Sequence, residues 1–377
     1  MNVASAVSEN LVIGGGLAGA MVAMRLSASG RRVMLIEKER IHHHKVCGEF
    51  LSREAVEYLR HAGIDLVSLG AVPIRSLRVS AKGKVVEAEL PFTALSLSRS
   101  VLDEALLARA AEEGCTVLRG VAAERLDARD GSWDIQLGDG KLLQSQSVFL
   151  ATGKHDLRGW NRGPGVQGDL VGFKMHWKLA APQIEALREY MELFIFEGGY
   201  GGLSLVEGGI ANFCLVVRRS NLHKIGGWHQ LLQELLVTNR QLQSRLNGAE
   251  ALWQRPLAIS SIPYGYIAHQ TPGLWCLGDQ AAVIPSFTGD GMSIALHSGA
   301  LAAEMYLTGE SADAYQRKLH AQLKRGVWVA TALSRFMVTS VAREFAPLAM
   351  VVLPRAIGWI ANATRVPERA LLSFSSR

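Results

Sequence analysis

Residues 11–39, LVIGGGLAGAMVAMRLSASGRRVMLIEKE, decide the fold. Leu11-Val12-Ile13 reads as a short apolar strand, and Gly14, Gly16 and Gly19 follow it in GxGxxG spacing. The next run, AGAMVAMRLSAS, has helical apolar periodicity. After Gly30, RRVMLIE reads as a second strand ending on Glu37. A lone GxGxxG says little, but strand, glycines, helix, strand and terminal acid together define a dinucleotide site. Gly14 permits the tight turn, Gly16 lets the backbone approach a pyrophosphate, and Gly19 allows close helix packing. The helix N-terminus, with Leu17 and Ala18, offers free N–H groups and a positive dipole end to phosphate. Glu37 is suited to accept hydrogen bonds from a ribose diol, and Lys38 follows it.

Around this core the chain is ordinary for a globular protein: 377 residues, 49% hydrophobic and 20% charged. That is enough for one large domain or two interleaved ones. Cys47, Cys115, Cys214 and Cys276 lie far apart with no CxxC pair. This argues against a disulfide framework or a structural zinc and fits a reducing cytosol. The opening MNVASAVSEN has no basic n-region before an apolar stretch, so no signal peptide is read and a cytoplasmic location is expected. The charge is uneven: from Tyr315 to Arg377 ten Lys/Arg face two acids, while the preceding body is near neutral. A nucleic-acid reader spreads its basic surface over the folded domain. A basic tail points instead to an anionic membrane surface or an acidic partner.

The C-terminal half selects among dinucleotides. GLWCLGDQAAVIPSFTGDGMSIALHSGALAAEMYL offers a strand, Gly278-Asp279, a proline loop, then Gly289-Asp290-Gly291 entering a helix. Here the chain resembles the FAD-binding oxidoreductases of the p-hydroxybenzoate hydroxylase superfamily, and more narrowly their geranylgeranyl-reductase-like branch. The resemblance implies that Asp279 meets the ribityl chain, that Pro285, Gly289 and Gly291 run along the isoalloxazine, and that Asp290 and Met292 adjoin it. It also implies that Arg99, in LSLSRSVLDEALLARAAEEG, reaches the cofactor; read alone, that run is an amphipathic helix with a serine cap. SWDIQLGDGKLLQSQSVFLATG reads as a hairpin turning at Gly138-Asp139-Gly140, then a buried strand. Its end, Ala151-Thr152-Gly153, resembles the turn where the chain passes the FAD. The implied architecture is α/β (α+β overall): a Rossmann-like FAD-binding domain (1–75, 96–155 and 268–314), an inserted antiparallel-sheet substrate domain (76–95 and 156–267), and a helical tail (315–377).

In the substrate half, GFKMHWKL, MELFIF and NFCLVVRR alternate as strands around glycine turns, and 223–247 reads as helical. Lys174, His176 and Tyr200 are the candidate catalytic groups there, against the plainer reading of solvent-facing strand positions. The chain departs from its relatives by lacking the Y-x-W-x-F-P of geranylgeranyl reductases, the DG pair of NADPH-dependent hydroxylases and the W-x-W-x-I-P of halogenases. In the tail, no apolar run approaches the roughly 18 residues of a membrane span. As one helix, 317–343 would group Arg317, Lys318, Lys324, Arg325, Arg335 and Arg343 with Trp328 on one arc. Leu319, Leu323, Leu333, Met337 and Val341 would lie opposite, and Gly326 weakens the single helix. Such a stripe suits an anionic bilayer; the alternative is a tail packed on the body with a solvated basic face.

Residues 42–52, HHHKVCGEFLS, raise the question of a metal. Three consecutive histidines cannot all face one ion from an extended strand, so no metal is expected. In the geranylgeranyl-reductase-like branch a K-x-C-G element occurs here, which matches Lys45, Cys47 and Gly48 and implies a cysteine near the flavin; Glu49 replaces a frequent glycine. The expected function is two-electron reduction or dehydrogenation of a carbon–carbon bond in a lipophilic molecule through flavin N5, with Cys47 or a bound water as proton donor. NAD(P)H is the candidate electron donor. The alternatives are a monooxygenase working through a flavin hydroperoxide and a flavin carrier without turnover.

Overall fold

The structure, a computed structural model, describes residues 7–342, 344, 358, 360 and 362–372. The opening βαβ unit is β1 (Val7–Ile13), α1 (Leu17–Ala28) and β2 (Val33–Glu37). The chain continues through β3 (Phe50–Leu51), α2 (Arg53–His61), the long hairpin β4 (Val72–Ala81) and β5 (Lys84–Ser96), and α3 (Arg99–Glu112). Next come β6 (Thr116–Arg119), β7 (Ala123–Arg129), β8 (Ser132–Leu137) and β9 (Leu142–Leu150). The second half contains β10 (Leu170–Lys178), α4 (Ala181–Leu187), β11 (Glu189–Phe196), β12 (Gly199–Leu205) and β13 (Ile210–Arg218). Three short helices follow, α5 (Arg219–Ile225), α6 (Trp228–Thr238) and α7 (Arg240–Leu246), then β14 (Glu250–Ala251), β15 (Leu257–Ser260) and β16 (Trp275–Cys276). The long helices α8 (Gly291–Leu307) and α9 (Ala312–Met337) come last.

Two sheets organise these elements. The first runs β6-β2-β1-β9-β8-β7, with β16 also on β9. Its centre is parallel: Ile13 pairs with Ile36 on one side and Leu150 on the other. The buried ends of these strands, residues 11–13 of β1 and 148–150 of β9, are continuous apolar runs, as parallel strands covered on both faces require. The second sheet runs β14-β10-β13-β12-β11-β4-β5-β3, with β15 beside β10. The sequence reading expects it to be antiparallel; it is mixed, because β11 lies parallel to β4, Leu193 opposite Val79. The chain between them passes through the first sheet, and that long crossover is what a parallel pair needs.

The second sheet has two chemically distinct faces. Phe173, Phe194, Leu203, Phe213 and Leu215 pack beneath Leu231, Leu235, Leu242 and Leu246 of α6 and α7. Their strand neighbours Lys174, Cys214, Gly202 and Leu193 alternate onto the opposite face. The helical run expected over 223–247 is broken twice. Gly226 and Gly227 take φ of 99° and 112°, and Asn239 caps α7 through its side chain on Leu242 N–H. Left-handed backbone ends a helix readily at glycine.

α9 ends at Met337 rather than continuing to 343, and it passes through Gly326 unbroken. A Cβ on Gly326 would stand 2.7 Å from the Thr364 carbonyl oxygen, so this glycine serves close packing. Leu319 and Leu323 are buried, while Arg317, Lys318, Lys324, Arg325 and Arg335 are exposed. Arg343 and the apolar run 345–353 lie outside the described residues. Among those described, no helix is long and apolar enough to cross a membrane.

α2, α8 and α9 are joined by a buried polar chain. Tyr58 shares a 2.7 Å hydrogen bond with His297 Nδ1, and His297 Nε2 meets Gln322 Oε1 at 2.9 Å. Burial lowers the His297 pKa to about 4, against the Gln322 bond. The folded state therefore holds this imidazole neutral where the unfolded chain would protonate it. Stability is intact above pH 6.5 and falls as the pH drops toward 4. Urea unfolding across this window should show a loss on the order of 3 kcal/mol in the wild type that is absent from His297→Gln.

Candidate active site

The glycine turn is the floor of a cleft between the two sheets. Gly14 has φ of 106°, and a Cβ there would stand 2.5 Å from the Ala151 carbonyl oxygen. Gly15 N–H donates to Glu37 Oε2 at 2.7 Å, and Glu39 N–H donates to Oε1 at 3.0 Å. Glu37 is thereby fixed at the end of β2, facing the cavity. Gly16 begins α1 without a side-chain cap, which leaves first-turn N–H groups open. Two cations stand over it: Lys45 Nζ and Arg99 Nη2 would lie 3.5 and 3.6 Å from a Cβ on Gly16. Asp103 orients both, accepting from Lys45 at 2.8 Å and from Arg99 at 2.7 and 2.9 Å. Burial opposes the Arg99 charge, but Asp103 and the neighbouring Cys47 outweigh it and raise the guanidinium pKa. Open N–H groups, two cations and a fixed acid are the donor set a dinucleotide diphosphate and ribose require. FAD fits the residues present.

The opposite wall is tied to this floor. Gln280 Nε2 donates to the carbonyls of Gly153 and His155 at 2.9 and 3.0 Å, joining the Gly278-Asp279 turn to the loop after β9. Arg162, nearly buried, donates to the Asp279 carbonyl at 3.1 Å and the Lys154 carbonyl at 2.8 Å. Leu17, Ala18, Lys38, Cys47, Gly48, Ala151, Gly153, Gly278, Asp279, Gly289, Gly291 and Met292 all line one cavity with Gly14, Gly16, Glu37, Lys45 and Arg99. Gly19, Pro285 and Asp290 do not. Gly19 instead lies against the Gly14 backbone. Asp290 is buried and turns to the C-terminal segment, where the Thr364 hydroxyl donates to Oδ2 at 2.9 Å. Burial raises its pKa to about 7, against the charge of Arg365.

The cavity has a volume of about 1010 Å³ and continues past the cofactor cleft under the second sheet. There its wall is Tyr200 and Gly202 of β12, Cys214 and Val216 of β13, Met191, Leu193 and Ile195 of β11, Leu77 and Val79 of β4, and Leu90 and Phe92 of β5. Lys174, His176 and Tyr200 are not solvent-facing: all three are at most 3% exposed. A second sheet face covered by the cofactor domain is what buries them. Tyr200 packs edge-on to Phe287, and its hydroxyl lies 3.4 Å from Ser286 Oγ.

Lys174 and His176 converge on Glu49, which has φ of 58° and no exposed surface. Oε1 accepts from the Lys174 ammonium and, at 2.8 Å, from Arg99 N–H; Oε2 accepts from His176 Nε2 at 3.1 Å. Burial disfavours the Glu49 charge, but His176 and Lys174 outweigh it and lower its pKa. His176 stacks on Trp253 at 4.7 Å, and His44 approaches edge-on at 4.7 Å. The donor atoms of His44, Glu49 and His176 lie within 4.8 Å of one another, the spacing of a metal site. His44 joins that cluster from the histidine run, but its second histidine, His176, comes from a strand position 127 residues after Glu49. Lys174 already sets a cation on its carboxylate.

The partners of Glu49 were invisible locally, being distant in sequence. Asp103 had a signal, standing one helical turn after Arg99. Trp253 and Lys154, whose ammonium donates to the Val46 carbonyl at 2.6 Å, had none.

The FAD binding domain family, FAD_binding_3, matches residues 8–133. Menaquinone reductase of Mycolicibacterium smegmatis is 24% identical over 355 residues, spanning 87% of this chain and 84% of that protein. A geranylgeranyl bacteriochlorophyll reductase-like protein from Thermoplasma acidophilum superposes with a TM-score of 0.72 at 19% identity, covering 97% of this chain and 94% of that one. The flavin-dependent brominase Bmp2 does so with a TM-score of 0.73 at 17% identity, covering 94% of each chain. The chain is an FAD-dependent oxidoreductase. Its fold is shared with the geranylgeranyl bacteriochlorophyll reductase-like protein and with Bmp2.

Proposed function

We propose that the chain carries out two-electron reduction of a carbon–carbon double bond in a lipophilic molecule that has a polar or conjugated head and a long apolar tail. The observation that carries this reading is the gradient along the cavity-facing side of the second sheet. On one rung, Lys174 pairs with Cys214, Cys214 with Gly202, Gly202 with Leu193, and Leu193 with Val79. The end beside Glu49 and Cys47 is polar, and the end at β11, β4 and β5 is wholly apolar. Cavity-lining residues span the five strands from β13 to β5, which at ~4.8 Å per strand gives an apolar trough about 19 Å long. The relative named menaquinone reductase supports such a ligand.

Bound FAD supplies the hydride chemistry. The protein's part is to hold the tail dry, orient the head and provide a proton. Cys47 suits the last task, since its sulfur lies on the cavity wall in contact with Arg99 and accepts from Glu49 N–H at 3.4 Å. His176 acts behind the wall and Tyr200 on it. To test this, the FAD-loaded protein is incubated with a short-chain menaquinone without oxygen, using dithionite or NADPH, and in parallel in air with NADPH, and the anaerobic product is then reoxidised in air. A gain of about two mass units that survives reoxidation supports reduction of a double bond. A gain of about sixteen that requires oxygen supports oxygenation instead, and an unchanged substrate refutes both.

The trough also suggests where a lipid enters. Leu333, Phe336 and Met337 of α9 line the cavity, and Phe336 is 49% exposed. Trp328, 71% exposed, stands two turns earlier on α9, near the exposed Lys324, Arg325 and Arg335. An aromatic and basic rim of this kind docks on an anionic bilayer. Replacing Lys324 and Arg325 with glutamate should weaken co-sedimentation with phosphatidylglycerol vesicles by more than about tenfold, since each basic residue near the surface contributes about 1 kcal/mol. Binding to phosphatidylcholine vesicles should be weak for both proteins; equal binding to anionic vesicles would remove the membrane reading.

A further inference from the structure

We propose that His44 and His176 form the route by which protons pass from solvent to Glu49 on the wall of the cofactor cavity, recharging the proton donor used there. This rests on the reduction just described, which adds one hydride from the cofactor and one proton from the protein to each double bond. The hydride is replaced by the two-electron reductant that reloads the cofactor, and the proton must come from water. A donor enclosed between two sheets needs a path for it.

The structure contains an ordered set of carriers. His42 is exposed, His44 is half-buried, and His176 and Glu49 are buried. The His44 ring meets the His176 ring at 4.7 Å with an interplanar angle of 68°. His44 Nδ1 is buried and has no hydrogen-bond partner among the described residues, so it is free to take or give a proton. His176 Nε2 reaches Glu49 Oε2 at 3.1 Å, and Glu49 is itself part of the cavity wall with His44 and Cys47. The two oxygens of Glu49 are not equivalent. Oε1 is held by Lys174 and the Arg99 N–H, which leaves Oε2 as the one that exchanges with His176.

The charges around the path favour transit over storage. Lys174 of β10 faces the carboxylate, and Trp253 closes the outer side of both imidazoles at 4.7 and 5.0 Å. Burial, then the nearby His176 and Lys174, lower the His44 pKa to about 4, while Glu49 and Glu207 oppose them. Arg99, Cys47, Cys214 and Lys154 are further titratable groups on the Glu49 side. A proton on His44 is thus passed on rather than kept. Lys174 acts as a positioning residue, since it touches only Glu49 among these groups and holds that carboxylate ionised.

Two-electron reduction of bound flavin would itself draw one proton from water into the cavity, so the test reads the route without any lipid substrate. The FAD-loaded protein is reduced anaerobically by a light pulse with a photoreductant in weakly buffered indicator dye, and proton uptake is timed against bleaching of the flavin. In the wild type, uptake should keep pace with bleaching. In His176→Gln and His44→Gln, which keep hydrogen-bonding groups but cannot titrate, uptake should lag about tenfold or more and the pH profile of the rate should flatten. Should His176→Gln not retain FAD, His44→Gln, on the half-exposed loop, makes the same measurement. Uptake at the wild-type rate in the variants overturns the route. So does stoichiometric zinc binding to the wild type that His176→Gln loses, which would make the cluster a metal site. Failure to reduce menaquinone, with the proton lag intact, would remove the proposed substrate class and leave the route standing.

Discussion

Gly16→Val yields a folded protein that purifies without FAD. Gly16 has φ of −76° and ψ of −176°, extended backbone open to any residue, so valine strains nothing in the turn. Its Cβ would meet Lys45 Nζ and Arg99 Nη2 at 3.5 and 3.6 Å, ordinary van der Waals distances. The branched methyl groups would then occupy the gap between the α1 N-terminus and those two cations, where a diphosphate has to lie. A phosphate held even 1 Å further out loses the N–H groups of the first turn and part of the Lys45 and Arg99 attraction. The expected loss of affinity is at least about a hundredfold, or roughly 3 kcal/mol. Fluorescence titration of the apoprotein with FAD measures it, and the circular-dichroism melt shows that the fold persists. Stoichiometric yellow protein from this variant would disprove the assignment of the turn.

Glu49→Ala should be among the most destabilising single changes in the molecule, costing about 3–5 kcal/mol. It strips the counter-charge from Lys174, whose side chain has no exposed surface, and it leaves the Arg99 N–H and His176 without an acceptor. The cost is that of an uncompensated buried charge, not the worth of the pair. The double variant Glu49→Gly with Lys174→Met separates the two. It removes both charges and gives the left-handed position, φ of 58°, a residue that adopts it freely. Its stability should return to within about 1–2 kcal/mol of the wild type, as replaced ion pairs commonly do. Denaturant midpoints of the FAD-loaded proteins decide this. In the wild type the Glu49 contribution has a defined pH sense. Its pKa is lowered from 4.5, so the stabilisation is complete above that value and is lost as the pH falls below it.

How far the site could be read in advance depended on sequence distance. Gly14, Gly16, Glu37 and the Arg99 helix with its Ser98 cap are local patterns, and the structure places all of them around one cleft. The turn at Gly138-Asp139-Gly140 and the start of α8 at Gly291 are equally local. The Glu49 cluster is not. Its members come from a loop, a strand and a helix start, and alternation along β10 reveals only that Lys174 and His176 share a face. Which face is buried depends on what covers it. The tail shows the same division: the basic arc follows from helical periodicity, but the close approach of Gly326 to the Thr364 backbone is decided by tertiary packing.

By itself, then, the sequence determined the glycine turn, the open start of α1 and the acid at the end of β2, because these features are contiguous in the chain. It also determined which residues are apolar enough to build two sheets. Only the tertiary structure decided that β11 lies parallel to β4, that the polar residues of β10 are buried, and that Glu49 collects them. Those outcomes arise from pairings over more than a hundred residues, whose energies depend on burial and charge compensation, and neither exists until the two sheets close on each other.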